Sequence, residues 1–355
     1  MSEATRCTVK VDGTEMARLG AVVVDQRIDS PDMFNFEVFI REGGTVQFVD
    51  TLREGQPVEI AIGTEDGDDV TVCKGEIHYL EPHFRGTGAS TMNVGGYDFS
   101  HRLTRGTSSR TWGDGHEEKQ AVGAAVEDVI SGAKDYSGSQ DDLSPGKVEG
   151  DKELPYIPQL NVSDYQFIKS LGYVVGVEVA PDATTDAKKV NFRKVDPAQD
   201  PVLTLSRIDG KEGAKGVLEA NFSLSTVRQY GRVEVRGWDT LNKKAIVGKA
   251  EATDLTFGGD KTAPDATGSA LYGKDKAGKV LTIVDHPVDS IEEAEALAQS
   301  IMNQMALEFV TGDVELPGDP LLAAGKIVEM KDFGARFSGK YLITQCTHSI
   351  TPGGY

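Results

Sequence analysis

Histidines and cysteines are the residues of this 355-residue sequence that are best suited to bind a metal or to act in acid–base chemistry. The cysteines are Cys7, Cys73 and Cys346, and the histidines are His78, His83, His101, His116, His286 and His348. None of them forms His-Glu-x-x-His, Cys-x-x-Cys or another pattern with metal-ligand spacing, and a site on Cys346 and His348 would need further ligands. We therefore expect reduced, partly buried thiols and no metal-binding residue.

Other motifs resemble active-site sequences without completing them. Residues 273–279 match the Gly-x4-Gly-Lys part of a phosphate-binding loop, but Val280 replaces the metal-binding hydroxyl and a strand follows where a helix is required. There is no Gly-x-Ser-x-Gly nucleophile elbow, and among 56 acidic residues paired carboxylates arise by chance. The sequence predicts a lysine-rich turn at 273–279, no catalytic residue, no cofactor and no enzymatic activity.

Arg102, Arg105 and Arg110 form a small basic cluster near Trp112 that could contact nucleic acid. A protein that binds nucleic acid through its phosphates is normally basic, whereas this chain has a net charge of -19. Ion pairs inside the protein or between subunits are therefore the better interpretation of the cluster. We expect no sequence-specific binding of nucleic acid.

The sequence contains no stretch that approaches the roughly 20 apolar residues of a transmembrane helix. Its first seven residues also lack the apolar core of a signal peptide. We expect synthesis in the cytoplasm without a signal peptide, and no stable membrane insertion.

The first part of the chain, residues 1–105, alternates apolar and polar residues. Phe34, Phe36 and Val38 share one face of a predicted strand, and similar short strands follow, separated by glycine-rich and aspartate-rich turns. Short strands at this spacing predict an antiparallel barrel or sandwich.

The middle part, residues 106–200, combines helices and strands. Apolar residues at three-and-four spacing predict an amphipathic helix over 117–133, with Glu117 and Glu118 in its first turn, where the helix dipole favours acidic groups. A polar surface loop is expected over 134–153.

A second, shorter helix is predicted immediately after Ser163, a residue type that caps helix N-termini. Gly172 is expected to end it, and a strand is expected over 173–179. The middle part is therefore predicted to be α+β.

The last part, residues 201–355, returns to strands. Residues 255–279 form a long glycine- and lysine-rich excursion, and Ser290-Ile-Glu-Glu293 is a capping box that opens a long helix over 291–309. The fold class is thus mainly β with an α+β insert.

Residues 340–350 are expected to form one long strand rich in Tyr, Ile and Thr, stopped by Thr351-Pro-Gly-Gly354. Neither face of this strand is cleanly apolar, so both faces are expected to contact protein. We interpret this end as a junction to something else, either a continuation of the chain or a partner.

Four stretches, in this order and spacing, resemble one family. They are Ser100-His-Arg-Leu-Thr-Arg-Gly106 with Ser109-Arg-Thr-Trp112; Pro158-Gln-Leu-Asn-Val-Ser-Asp-Tyr-Gln-Phe-Ile-Lys-Ser-Leu171; Val233-Glu-Val-Arg-Gly-Trp-Asp239 with Lys243-Lys244-x-Ile246-x-Gly248; and Gly318-Asp-Pro-Leu-Leu-Ala-Ala-Gly325 with Phe337-Ser-Gly-Lys-Tyr341. Together they are similar to VgrG and phage late control protein D, the baseplate hub of contractile injection systems. One departure is Leu171-Gly-Tyr-Val-Val, where many relatives carry acidic residues before the glycine.

The resemblance implies a fold and a set of partners. It implies two antiparallel β-barrels per chain, over 1–105 and 201–355, which form a pseudo-sixfold ring as a homotrimer. This ring would join the sixfold inner tube to the threefold spike of a phage tail, a type VI secretion system or an extracellular contractile system. The implied partners are the inner tube protein, the spike or needle with its tip protein, and other baseplate subunits. The resemblance also implies that the second barrel ends at the junction to the spike, with Pro352-Gly353-Gly354 as the hinge between hub and spike.

Two alternatives remain open at this level. One is a tail-associated cell-wall hydrolase, although the excursions at 134–153 and 255–279 are too short to fold as inserted domains. The other is a glycan-binding barrel protein, which would expose its aromatic residues. Trp112 and Trp238 are instead expected in structural positions.

Overall fold

The computed structural model of the protein describes residues 6–28, 30–40, 51–63, 68–115, 118–132, 143–181, 188–251, 255, 257, 279–351 and 354–355. Strands predominate in these residues, so the predicted mainly β class is confirmed. In the same residues, no helix combines the length and the apolar character needed to cross a membrane. The predicted turn at 273–279 lies outside the described residues, except for Lys279.

The first part of the chain forms one antiparallel sheet. Its strands are β1 (Cys7–Val11), β2 (Thr14–Glu15), β3 (Leu19–Arg27), β4 (Met33–Ile40), β5 (Pro57–Gly63), β6 (Asp69–His83) and β7 (Ser90–Asp98). Along β4 the buried residues alternate as predicted, with Phe34, Phe36 and Val38 fully buried in one core with Val9, Ile60 and other residues of the same sheet.

A 3₁₀ helix (Phe99–Thr104) leaves this sheet, and the Asp98 side chain caps it by accepting a hydrogen bond from the Ser100 amide. The middle part then contains β8 (Ser108–Trp112), β9 (Gln120–Ala121), α1 (Val122–Ser131), β10 (Ser144–Val148), β11 (Glu153–Leu154), β12 (Ile157–Val162), α2 (Asp164–Val175), β13 (Glu178–Pro181) and β14 (Lys189–Arg193). Its strands form three small sheets, ordered β10-β14-β13, β11-β9 and β12-β8.

The first helix is shorter than predicted. It begins at Val122 because Gln120 and Ala121 pair with β11, so Glu118 lies before a strand and not in the first turn of the helix. Glu117 lies outside the described residues. The surface loop predicted over 134–153 also contains β10 and β11, since a polar, glycine-rich sequence can still contribute backbone to a sheet.

The second helix begins as predicted and ends later. The Ser163 side chain accepts from the Gln166 amide in a reciprocal capping box. The helix passes through Gly172 and ends at Val175, where Gly176 caps it in the left-handed conformation with φ of 69°. Tyr173 is consequently helical, and the strand predicted over 173–179 begins only at Glu178.

The last part contains β15 (Leu203–Ser206), β16 (Lys215–Gly216), β17 (Glu219–Leu224), β18 (Arg232–Asp239), β19 (Lys244–Ala250), β20 (Val280–Ile283), α3 (Ile291–Leu307), β21 (Val310–Glu315), β22 (Ile327–Lys331), β23 (Gly339–Leu342) and β24 (Gln345–Ile350). Ser290 caps α3 by accepting from the Glu293 amide at 3.0 Å. In the predicted capping box, the Glu293 carboxylate would accept a hydrogen bond from the Ser290 amide. In the structure it accepts from the Asp289 amide, one residue earlier. Three small sheets result, ordered β16-β15-β22-β23, β17-β21 and β19-β18-β20.

The long strand predicted over 340–350 is two strands in two different sheets. The first, β23, pairs with β22 of the last part, whereas β24 pairs antiparallel with β3 of the first part, with Cys346 opposite Gln26. The backbone changes partners between Ile343, which bonds to Lys326, and Thr344, which accepts from Ile28. The prediction that this strand belongs to the second barrel is therefore wrong for its second half.

With β24 included, the first sheet has the order β2-β1-β5-β6-β7-β4-β3-β24. Its two end strands do not pair with each other, so the described strands form an open sheet. The two-barrel architecture implied by the family resemblance therefore stays a prediction.

Candidate functional site

A polar cluster joins the first sheet to the 3₁₀ helix. Glu76 and His78 lie two residues apart on β6, and His101, Arg102 and Arg105 lie on or just after the 3₁₀ helix. The pairing of β6 with β7 shifts register between Ile77 and Tyr79, so His78 lies in a β-bulge. Bulges redirect side chains, and this one accompanies the approach of His78 to the helix.

Two close backbone approaches hold β6 beside β7 at this point. A Cβ on Gly96 would lie 2.0 Å from the carbonyl oxygen of Glu76, and a Cβ on Gly75 would lie 2.0 Å from the carbonyl oxygen of Tyr97. Only glycine fits at these positions, so glycines of both strands set the position of the Glu76 backbone.

The Glu76 carboxylate is the centre of the cluster. Arg102 donates to it through Nη2 at 2.5 Å to Oε2 and through Nε at 3.2 Å to Oε1, and Arg105 Nη2 donates at 2.7 Å to Oε1. Burial opposes ionisation of this carboxyl group, but the hydrogen bonds and charge of Arg102, together with the charge of Arg105, hold its pKa below the usual value. Glu76 is therefore an ionised group at neutral pH.

The two histidines of the cluster are neutral. Burial lowers the pKa of His101 to about 4, and burial also lowers the pKa of His78. Their rings lie 4.0 Å apart between centroids, and His101 Nδ1 lies 2.9 Å from the carbonyl oxygen of Asp98. Because that oxygen can only accept, Nδ1 carries the proton, and His101 Nε2 presents a lone pair to Arg105 Nη2 at 2.8 Å.

The third arginine of the predicted basic cluster lies in a separate internal network. Arg110 is buried and pairs with the buried Asp164, which also accepts from Gln159. Trp112 stacks on Phe167 with ring centroids 5.2 Å apart. The prediction of internal ion pairs for Arg102, Arg105 and Arg110 is thus confirmed.

A pair of buried carboxyl groups lies beside the polar cluster. Asp98 accepts hydrogen bonds from the Asp32 and Ser100 amides, and Asp32 accepts from the Arg27 amide at 3.1 Å. Burial raises the pKa of Asp98 to about 6. Burial and the neighbouring Asp98 charge raise the pKa of Asp32 well above its usual range.

Cys346 and His348, which the sequence analysis considered as possible metal ligands, lie close together in the structure. Cys346 Sγ lies 3.5 Å from His348 Nε2, and His348 Nδ1 lies 2.6 Å from the hydroxyl of Tyr355. Burial raises the pKa of Cys346 to about 12 and that of Cys7 to about 11, so both are protonated thiols and poor nucleophiles. All three cysteines are free, with Cys73 buried and Cys7 and Cys346 partly buried.

The last residues fold back onto the protein. Thr351 and Gly354 exchange backbone hydrogen bonds, and the ring of Tyr355 covers Gly318, where a Cβ would lie 2.2 Å from it. The hinge toward a spike that the resemblance implies stays a prediction. Pro352 and Gly353, the centre of the predicted hinge, lie outside the described residues.

Trp238 departs from the structural position that was expected. It is 58% exposed, at the end of β18, whereas Trp112 is buried as expected. The β18–β19 turn next to it also presents Leu241, which is 91% exposed. Among the described residues of the last part of the chain, six large apolar side chains are more than half exposed, namely Leu218, Val227, Trp238, Leu241, Val284 and Ile291.

Sequence reasoning missed the polar cluster as a unit. The spacing of Glu76 and His78 on one strand was a usable signal, but His101 comes from a different element and reaches them only through the β6–β7 pairing and the 3₁₀ helix. Among the other histidines, His83 is exposed near the β6–β7 turn and His286 lies 5.6 Å from the ring of Tyr173. His116 lies outside the described residues.

Comparison with protein-family models gives one match, to the family described as the Alg8 N-terminal domain, over residues 44–352. The chain belongs to the Alg8 N-terminal domain family. This description names neither an activity nor a tail component. No curated protein matches the sequence.

Solved structures with the same fold are tail proteins. A 43 kDa tail protein of prophage MuSo2 from Shewanella oneidensis has a TM-score of 0.69 and 14% identity, covering 99% of this chain and 96% of that one. A tail protein from Neisseria meningitidis has the same TM-score and identity, covering 99% and 94%. An E. coli type VI secretion component, described as structurally similar to the T4 tail proteins gp27 and gp5, has a TM-score of 0.51 and 14% identity, covering 98% and 74%.

These likenesses extend over almost the whole chain. At 14% identity they establish the fold alone, and that fold is the one of phage tail proteins and of a type VI secretion component. This member of the Alg8 N-terminal domain family therefore shares its fold with these tail proteins and with the type VI secretion component.

Proposed function

We propose that the protein is the baseplate hub of a contractile injection machine, a member of the VgrG and late control protein D group. In this role it forms a homotrimer that joins the sixfold inner tube to the threefold spike. Its role is mechanical, its partners are the tube protein, the spike with its tip protein and other baseplate subunits, and it assembles in a phage-tail-like particle. It requires no catalytic residue, no cofactor and no metal for this role.

The observation that carries the proposal is the near-complete overlap with the Shewanella tail protein, at 99% of this chain and 96% of the other. A likeness over a single common module would leave most of one chain unmatched. The four ordered motifs of the VgrG and late control protein D family give independent support from the sequence.

The exposed apolar side chains of the last part give physical support. Leu241 and Val227 are 91% and 85% exposed, which is costly for a protein that remains alone in water. Subunit contacts in an assembled ring would remove such groups from water. Contiguous apolar patches mark surfaces that bind other proteins, and Trp238 and Leu241 lie at the same β18–β19 turn.

The experiment is to image particles that contain this chain and to measure the mass of the purified protein by light scattering. We expect three copies in threefold symmetry between tube and spike, and a solution mass near three times the 38.1 kDa of one chain. Particles that assemble normally and lack this chain would overturn the proposal, whatever the mass in solution. A matched pair of variants, Leu241→Asp in the last part and Phe84→Asp in the first, then tests which exposed surface the assembly uses.

A further inference from the structure

We propose that Glu76 Oε1, His78 Nε2 and His101 Nε2 form a site for a zinc ion, which enters by displacing the side chain of Arg105. This site is independent of the proposed baseplate role. It is carried by geometry, by an unsatisfied ring nitrogen and by the position of the Arg105 guanidinium.

The three ligand atoms are already near the positions that zinc requires. They lie within 4.8 Å of one another, with His101 Nε2 at 3.5 Å and His78 Nε2 at 3.8 Å from Glu76 Oε1. A tetrahedral zinc ion with bonds of about 2.0–2.1 Å places its ligands roughly 3.4 Å apart. Small side-chain movements are therefore enough to close the site.

The surrounding groups orient the ligands correctly. His101 donates its Nδ1 proton to the carbonyl oxygen of Asp98 at 2.9 Å, which leaves Nε2 unprotonated, with a lone pair that can bind a metal once Arg105 moves away. This arrangement of a backbone carbonyl behind a histidine is typical of metal ligands. Arg102 holds Glu76 Oε2 at 2.5 Å and so fixes the carboxylate plane while Oε1 faces the two imidazoles.

His78 supplies the second, independent observation. Its Nε2 atom is inaccessible to solvent and has no hydrogen-bond partner. A buried polar atom without a hydrogen-bond partner destabilises the folded state, so a protein normally satisfies it. A metal ion between His78 and Glu76 would do so.

Arg105 occupies the position that the ion would take. Its Nη2 atom lies 2.7 Å from Glu76 Oε1 and 2.8 Å from His101 Nε2, the same two atoms that would bind zinc. The side chain is 57% exposed and follows the 3₁₀ helix, so it can move into solvent without unfolding the protein around it. Exchange of one cation for another then keeps Glu76 compensated, and a water molecule completes the tetrahedron.

Zinc fits better than calcium or magnesium. Two of the three donors are imidazole nitrogens, whereas calcium and magnesium prefer sites built from oxygen atoms. Two histidines with one glutamate and an open fourth position form a known type of zinc ligand set.

The test is a calorimetric titration of the untagged, metal-free full chain with zinc chloride, repeated with cobalt(II) to read tetrahedral geometry from its visible absorption. We expect one zinc ion per chain. His101→Ala should weaken binding at least about tenfold, and Arg105→Ala, which removes the competing cation, should strengthen it by about tenfold. His83→Ala, at an exposed histidine of the neighbouring turn, is the matched control and should leave the affinity unchanged.

Three outcomes would overturn the proposal. They are equal affinity of the wild type and His101→Ala, loss of binding in His83→Ala, and an Arg105→Ala variant that binds zinc no more tightly. Arg105→Ala keeps all three ligands, and far-UV and near-UV circular dichroism of each variant identifies any failure to fold. The comparison of Arg105→Ala with the wild type therefore decides the question even if His101→Ala is unfolded.

Discussion

Single carboxyl groups of this acidic chain differ sharply in environment. Asp98 is fully buried and accepts a hydrogen bond from the Asp32 amide, whereas Glu76 on the neighbouring strand β6 is compensated by Arg102 and Arg105. The first environment favours the protonated acid and the second favours the anion. Net charge alone cannot distinguish these two states.

The buried acid pair makes stability depend on pH. The pKa of Asp98 rises to about 6 in the folded protein, and that of Asp32 rises well above the usual value near 4. A carboxyl group with a raised pKa stabilises the folded state fully below its unfolded pKa, and this contribution is lost as the pH rises through the folded pKa. The free energy of unfolding should therefore fall between about pH 4 and pH 7 because of this pair.

Asp32→Asn removes one of the two charges and keeps an oxygen that can accept from the Arg27 amide. We expect it to raise the free energy of unfolding by about 2 kcal/mol at pH 8 and to change it little at pH 4. Urea unfolding across this pH range measures the effect. Asp151→Asn, at an exposed position, is the control and should change the free energy of unfolding only slightly at pH 4 and at pH 8. If Asp32→Asn also changed it only slightly at pH 8, the interpretation would be wrong.

At the residue scale, the sequence predicted that the arginines form internal ion pairs, but it did not predict which residues are their partners. The acidic balance correctly indicated internal pairing for Arg102, Arg105 and Arg110. It could not identify Glu76 or Asp164 as the partners, because each comes from an element distant in sequence. The cluster of Glu76, His78 and His101 was missed for the same reason.

Helix and strand types were largely predictable, and the positions where elements end were less so. Ser163 and Ser290 cap their helices as predicted, since capping depends on a few adjacent residues. Gly172 was expected to end α2, but it lies inside the helix. A Cβ at this position would lie 2.4 Å from the carbonyl oxygen of Val177, so close packing requires glycine there. Gly176 is the residue that ends the helix.

A similar close approach determines how α3 packs on β19. A Cβ added at Gly248 would lie 2.1 Å from the carbonyl carbon of Ala294 and 2.2 Å from the Glu295 amide nitrogen. Backbone atoms cannot rotate away as side chains can. Gly248→Ala should therefore displace α3 and lower the free energy of unfolding by about 1–3 kcal/mol.

Guanidinium chloride unfolding followed by circular dichroism measures this effect. Gly86→Ala is the matched control, because a Cβ there meets no atom within 4 Å and its backbone is not left-handed. The control should change stability by less than about 0.5 kcal/mol. Equal effects of the two substitutions would argue against a tight contact between β19 and α3.

At the scale of the whole molecule, the sequence indicated the order of β-rich and α+β parts but not how they interlock. The strand-forming residues of 340–350 are continuous in the sequence, so propensity alone predicted one strand. The exchange of backbone partners between Ile343 and Thr344 depends on where Lys326 and Ile28 lie in space. A long-range contact of this kind leaves no local signal.

The attachment of β24 to the first sheet can be tested with two neighbouring residues. Ile350 is buried in the core of the first sheet, and Ser349 beside it on the same strand is exposed. Ile350→Asp buries a charge in that core and should release β24, at a cost of about 3 kcal/mol or more. Ser349→Asp should be nearly neutral.

Hydrogen exchange of the β3 amides is the most direct measurement. Faster exchange at Val22 and Val24 is expected in Ile350→Asp, because these residues lie opposite Ile350 and His348. Exchange at β3 that is equally slow in both variants would contradict the proposed role of β24 in holding the first sheet.

The β3–β24 pairing also determines when the protein can complete its fold during synthesis. Gln345 and Asp25, which are hydrogen-bonded across this pair, lie 320 residues apart in sequence. At about 5–20 residues per second, a ribosome needs roughly 15–60 seconds to make the connecting chain. During this interval the edge of β3 has no β24 to pair with, and an open edge is a template for pairing with other chains. The nascent chain consequently passes through a defined period in which binding of β3 by a chaperone or by a neighbouring nascent chain competes with its native partner.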